Sequence, residues 1–143
     1  MSLFSFVKEA GDNVAALSDS DFEARLIKHI EGVGLGTPSI SAQAEGDKVL
    51  LRGEVNSQEE KEKLLLATGN IQGVASVEDL ITLSGPAAQA SRLVTVNEGD
   101  TLSSISRAVY GDPNRYNKIF EANRPLLKHP EKIYQGQVLR IVD

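Results

Sequence analysis

The sequence predicts an α+β chain of two small domains preceded by an amphipathic helix. Three observations predict it. Apolar residues recur at helical spacing near the N-terminus and in several later stretches. Alternating apolar and polar residues, bounded by glycine turns, lie between those stretches. A run of small residues with no apolar period then divides the chain at Gly85 to Ser91. Divided this way, 143 residues leave each half near 60 residues, where burial only marginally suffices for a stable core.

Residues 1–19 place Leu3, Phe6, Val7, Ala10, Val14 and Leu17 on one face of a helix of about four turns. Its polar face sets Lys8 against Glu9 and Asp12, the wrong charge pattern for anionic lipid. The helix is therefore expected to dock on the rest of the protein.

Residues 20–84 open with Ser20-Asp21-Phe22-Glu23, a capping box. Phe22, Leu26, Ile27, Ile30 and Val33 continue it as a helical stripe, which Gly34 and Gly36 stop. His29 falls off the stripe and reads as a solvated helix residue. Ile40, Ala42 and Ala44 alternate with polar residues, as do Val49 and Leu51, with a turn at Glu45 to Lys48 between them. Gly53 is expected to end that second strand. Ser57-Gln58-Glu59-Glu60 is a second capping box, opening a helix through Leu64, Leu65 and Thr68 that stops at Gly69. Glu59 to Lys63 read as its solvated face, laced with helical ion pairs. A third strand has Val77, Ile81 and Leu83 on one face and Leu80 on the other. The order is α-β-β-α-β.

Residues 85–91 are the linker. Residues 92–143 read as β-α-α-β. Leu93 to Val96 form a strand and Asn97 to Asp100 a turn. Leu102, Ile105 and Val109 line a short helix ended by Gly111. Asp112-Pro113 caps the next helix, whose buried face is Tyr116, Ile119 and Phe120. Pro125 and Pro130 force an extended loop, Gln135 to Gln137 turn, and Val138 to Ile141 close the domain.

Composition excludes several classes of function. Twenty acidic against fifteen basic residues give a net charge of −5. Such a surface repels phosphate backbones and anionic lipids, so neither nucleic acid nor membrane is an expected partner. The absence of cysteine removes disulfides, thiolate chemistry and sulfur-ligated zinc. Polar residues interrupt the N-terminal apolar positions, so no secretory signal is read and the protein is expected in the cytoplasm. His29 and His129 fall in different halves, with no serine or acid constellation beside either, and Glu59-Glu60 sit on an exposed helix face. The chain is therefore not expected to be an enzyme. Each half buries its own stripe and leaves no long apolar patch, which predicts a monomer.

In the second half, Val96, Gly99-Asp100-Thr101-Leu102, Ile105, Tyr110-Gly111, Tyr116, Ile119, Asn123 and Ile133 to Ile141 agree in turn, cap and apolar positions. They resemble the LysM module over its whole length, with Gln135 where such modules usually place proline. The first half is similar to the BON module through its α-β-β-α-β order, Val49-x-Leu51-x-Gly53, the Ser57 cap and the Gly69-Asn70-Ile71-Gln72-Gly73-Val74 loop. A short N-terminal helix, one BON, one LysM and no export signal together resemble the bacterial cytoplasmic potassium-binding protein family.

That resemblance implies a K+ ion held by main-chain carbonyls. The matching positions are Val7, Lys8 and Ala10 near the N-terminus and Gly69, Ile71 and Val74 in the loop. It also implies a conformational response that makes the protein an ion sensor. The second reading is the commonest LysM role: binding N-acetylglucosamine polymers such as peptidoglycan, between the Gly99 to Leu102 turn and the loop before the last strand. The lack of an export signal disfavours it.

Elementary chemistry is compatible with the ion reading. K+ prefers neutral oxygens, and the last carbonyls of a helix lack internal partners and carry its negative dipole end. Glycines at 69 and 73 permit positive φ, which would turn carbonyls inward. From the residues alone the plainer reading stands, that Gly69 stops a helix and Gly73 makes a turn.

Overall fold

A computed structural model describes residues 2–11, 13, 21–35, 40–85 and 90–142. In the first domain Phe22–Val33 form α1, Ile40–Glu45 β2, Lys48–Val55 β3, Gln58–Gly69 α2 and Ser76–Leu83 β4. Helical and alternating spacings thus give the expected α-β-β-α-β order. Gly34 caps α1 in the left-handed region at φ 102°, as its position after the last apolar residue predicts. Ser57 caps α2 by accepting from the Glu60 N–H at 3.1 Å. Strands β2 and β3 form a hairpin, and β3 pairs in parallel with β4 across the α2 crossover. Leu26, Ile30, Val49, Leu51, Leu64, Leu66, Ile71 and Val74 are wholly enclosed between helices and sheet. Each such leucine or isoleucine contributes roughly 1.5–3 kcal/mol relative to exposure.

The N-terminal helix expected over residues 1–19 is corrected. Ser2–Ser5 are a strand, β1, antiparallel to β4 with Ser5 opposite Ser76, and Lys8 to Gly11 form a turn. Val14, Leu17 and the Ser20 cap lie outside the described residues. The sheet order β1-β4-β3-β2 explains the change. Without β1, β4 would present an open edge of backbone donors and acceptors. Phe4 and Phe6 face inward while Leu3 and Val7 stay exposed, a period of two rather than 3.6. Phe6 belongs to the first domain's core.

Two smaller expectations also change, at Gly53 and Glu62, and a contact of Glu23 is added. Gly53 does not end β3; the strand continues to Val55 because its parallel ladder with β4 runs to the Val55–Leu83 pair. Glu23 accepts from the Ala42 N–H at 3.2 Å, tying α1 to β2. Glu62, placed by sequence on a solvated face, is buried.

The second domain has Arg92–Thr95 as β5, Leu102–Tyr110 as α3, a 3-10 turn at Pro113–Arg115, Tyr116–Ala122 as α4 and Val138–Ile141 as β6. Thr101 and Ser104 form a reciprocal capping box on α3. Ile119 is fully buried and Phe120 half-buried, whereas Tyr116 is 38% exposed. Val96, Leu102, Ile105, Ile119, Leu127, Leu139 and Ile141 make a separate small core. Val138, at the start of β6, buries its side chain in the first domain's core instead. Residues 86–89 of the expected linker lie outside the described residues.

Candidate ion-binding site

The six residues expected to hold an ion lie on two chain segments. Val7, Lys8 and Ala10 follow β1, and Gly69, Ile71 and Val74 span the end of α2 and the loop into β4. The fold brings the segments together. The Phe6 N–H donates to the Ala75 carbonyl at 2.9 Å, and the Gly73 N–H donates to the Lys8 carbonyl at 2.6 Å. Gly11 packs directly on the Asn70 carbonyl, and the Phe6 ring lies against Gly69.

Glycine has two distinct uses here. Gly73 and Gly11 adopt φ of +101° and +107°, a region open to glycine at little cost. Gly69 departs from expectation, because it keeps the helical backbone of α2. Its missing side chain makes room for Phe6 instead.

The donor set is chemically neutral. Ile71 and Val74 are fully buried, so only their backbone groups supply polarity. The Val7 carbonyl accepts from Ala10 N–H and the Ile71 carbonyl from Val74 N–H, both at 3.1 Å. Each carbonyl oxygen has two lone pairs, so one bond leaves acceptor capacity. The Lys8 ammonium lies 3.6 Å from the Asp47 carboxylate, both groups being half exposed. Among the described residues, no group of three or more His, Asp or Glu side chains is arranged to hold a metal. Neutral carbonyl oxygens of this kind are the ligands that a large, weakly polarising cation prefers.

Sequence reasoning missed the residues that join this site to the second domain. The Asn70 side chain donates to the Val138 carbonyl and accepts from the Val138 N–H, each at 2.9 Å. A methyl placed on Gly136 would lie 2.7 Å from Ala10 Cβ and 3.2 Å from Val7 Cβ. Beside this contact, Val7, Glu9, Ala10, Thr95, Val96 and Gly136 line an opening of about 380 Å³. Asn70 follows a helix end, where asparagine is ordinary, so nothing local marked it.

The larger inter-domain contact is a buried ion pair. Glu62 of α2 and Arg140 of β6 meet at 3.0 Å. Arg140 also donates to the Ala122 carbonyl at 2.8 Å and to the Ser91 hydroxyl at 3.2 Å. Glu62 accepts from Ser91 N–H and from Gln58. Burial pushes the Glu62 carboxyl up, but hydrogen bonds from Gln58, Ser91 and Arg140 outweigh it and hold the group below the ordinary glutamate value. Glu59, on the outer side of α2, is lowered by its Lys63 hydrogen bond and charge.

A separate cavity of about 710 Å³ lies in the second domain, lined by Asp100, Thr101, Leu102, Tyr116, His129 and Ile133. It occupies the place expected for a sugar polymer. Among the described residues no helix is long and apolar enough to cross a membrane.

Comparison with known proteins agrees with this architecture. Residues 18–85 match the BON domain family and residues 94–142 the LysM domain family. The chain is 49% identical to the potassium binding protein Kbp of Escherichia coli O6:H1, covering 99% of this chain and 98% of that protein. It is 30% identical to an uncharacterized protein of Deinococcus radiodurans, covering 94% of this chain and 57% of that relative. With 49% of residues identical across nearly the whole of both chains, and carrying one BON and one LysM domain, the chain belongs to the Kbp family.

Proposed function

We propose that this protein binds K+ through the main-chain carbonyls of Val7, Lys8, Ala10, Gly69, Ile71 and Val74, and acts as a monomeric cytoplasmic ion sensor rather than an enzyme. The observation that carries the reading is the convergence of the two segments, joined by the Gly73 N–H on the Lys8 carbonyl and by Gly11 on Asn70. The 49% identity to a protein named for potassium binding supports it. Ion binding draws the turn at residues 7–11 onto the loop and orders the second domain against both.

Thermal unfolding in potassium, sodium and choline salts at matched ionic strength tests the reading. A ligand bound only by the folded state stabilises by about 2.7 kcal/mol at a hundredfold excess over Kd. Potassium should raise Tm above the sodium value; coincident curves remove the proposal.

The cavity at Asp100 and Tyr116 keeps a second reading in view, in which the LysM domain holds N-acetylglucosamine polymers. Under the ion reading, insoluble peptidoglycan should retain little protein. Strong retention, lost when Thr101 and Tyr116 are replaced, would favour the sugar.

A further inference from the structure

We propose that the Gly136–Val138 segment of the LysM domain is the outer support of the ion site and sets its affinity, with Asn70 and Gly136 as positioning residues. The inference rests on the ion reading above and adds a role for the second domain.

The backbone of β6 shows why Asn70 is a specific link. Strand β6 pairs with β5 on one edge only, in a two-stranded sheet. Its other edge would expose peptide groups that must find partners when buried. At Arg140 the partner is internal: Asn123 accepts from the Arg140 N–H at 2.9 Å and donates to its carbonyl at 3.0 Å. At Val138, two residues earlier and on the same edge, the equivalent clamp comes from Asn70 of the first domain. Each carboxamide thus imitates a neighbouring strand. Neither can be inverted, because only its oxygen accepts an N–H and only its nitrogen donates to a carbonyl.

Asn70 lies between Gly69 and Ile71, two of the candidate ligands, and its own carbonyl meets Gly11. Its backbone belongs to the ion loop while its side chain grips β6. Gly136 completes the support from the other direction. It presses on Val7 and Ala10 at φ +90°, and its N–H is held by the Val96 carbonyl at 2.8 Å. Gly136 and Val138 of the LysM domain therefore back both halves of the site. Loosening them lets the carbonyls drift before any ion arrives, which weakens binding without touching a ligand. By linkage, an ion that tightens the site must tighten this contact by the same factor.

The test is potassium titration by calorimetry in a choline background, on the wild-type chain and the Asn70→Ala, Gly136→Ala and Asn123→Ala variants. Asn70→Ala, which removes two neutral hydrogen bonds, and Gly136→Ala, which forces a methyl against Ala10, should each weaken Kd by about tenfold or more. Asn123→Ala removes the matching clamp away from the ion loop; it should lower ion-free Tm and leave Kd near wild type. Potassium should also slow hydrogen exchange at the Val138 amide of the wild-type chain, which needs no variant to fold. Wild-type Kd in both Asn70→Ala and Gly136→Ala, or unchanged Val138 exchange in a chain that binds potassium, overturns the proposal. A wild-type chain that gives no potassium heat removes the ion reading itself, and this inference with it.

Discussion

Arg140→Ala should cost about 3–5 kcal/mol of folding stability, the penalty typical of removing one partner from a buried ion pair. For a chain of this size that is roughly 10 °C or more in Tm. The size follows from what is left behind. Glu62 would remain buried with only Gln58 and Ser91 as donors, and the Ala122 carbonyl and Ser91 hydroxyl would lose the guanidinium. The effect also depends on pH with a definite sign. The folded-state pKa of Glu62 is depressed below 4.5. Its contribution is therefore fully present above the unfolded value and is lost as pH falls through the folded one. The gap between wild type and Arg140→Ala should accordingly narrow in acid, where both proteins carry a neutral Glu62. Denaturant unfolding at neutral and acidic pH measures both parts. A gap below about 1 kcal/mol at neutral pH, the range of exposed pairs, would mean that the junction is not a closed ionic contact.

The same pair shows where local sequence reading ends. Glu62 sits among Glu59, Glu60, Lys61 and Lys63, and partners far along the chain, Ser91 and Arg140, 29 and 78 residues away, distinguish it from a solvated neighbour. Helices α1 to α4 and the β2–β3 hairpin were legible because periodicity and glycine stops act over a few residues. Strand β1 was not. Leu3, Phe6, Val7 and Ala10 fit a helix face, while Phe4 and Phe6 fit a strand equally well. What decides is the open edge of β4, a tertiary fact that overrides local preference. Residues 2–6 are consequently part of the first domain, since β1 completes its sheet and Phe6 its core.

The candidate site was legible only through family resemblance. Proposed backbone ligands leave no side-chain signature, so Val7, Ile71 and Val74 look like any apolar residues. Gly73 carried a usable local signal, and its positive φ is observed. Gly69 carried a misleading one: it admits the Phe6 ring instead of turning the chain. Gly11 carried no signal in the sequence, although its φ of +107° and its contact with the Asn70 carbonyl leave no room for a side chain.

Gly11→Ala is expected to weaken potassium binding by one to two orders of magnitude while leaving both domains folded. Two independent costs combine at this position. The backbone holds φ +107°, where a side chain is strained by roughly 1–3 kcal/mol. An added methyl would also collide with the Asn70 carbonyl and lie 2.8 Å from the Ile71 nitrogen, backbone atoms that cannot rotate away. The cheapest escape is to lift the 8–11 turn off the loop. That separates Lys8 and Ala10 from Gly69, Ile71 and Val74 but leaves β1 and Phe6 anchored. Since each 1.4 kcal/mol is a factor of ten in Kd, the φ strain alone predicts the stated range. Gly46→Ala is the matched control, with φ +64° in the β2–β3 turn and open space around it. It should lower Tm somewhat and keep the full potassium response. Lys8→Ala should also keep it, because the proposed ligand is the Lys8 carbonyl and the ammonium pairs with Asp47 at the surface. The three variants, measured beside Glu9→Gln, separate backbone from side-chain ligation. Binding lost in Glu9→Gln and retained in Gly11→Ala would mean that a carboxylate, rather than the peptide oxygens of the docked turn, holds the ion.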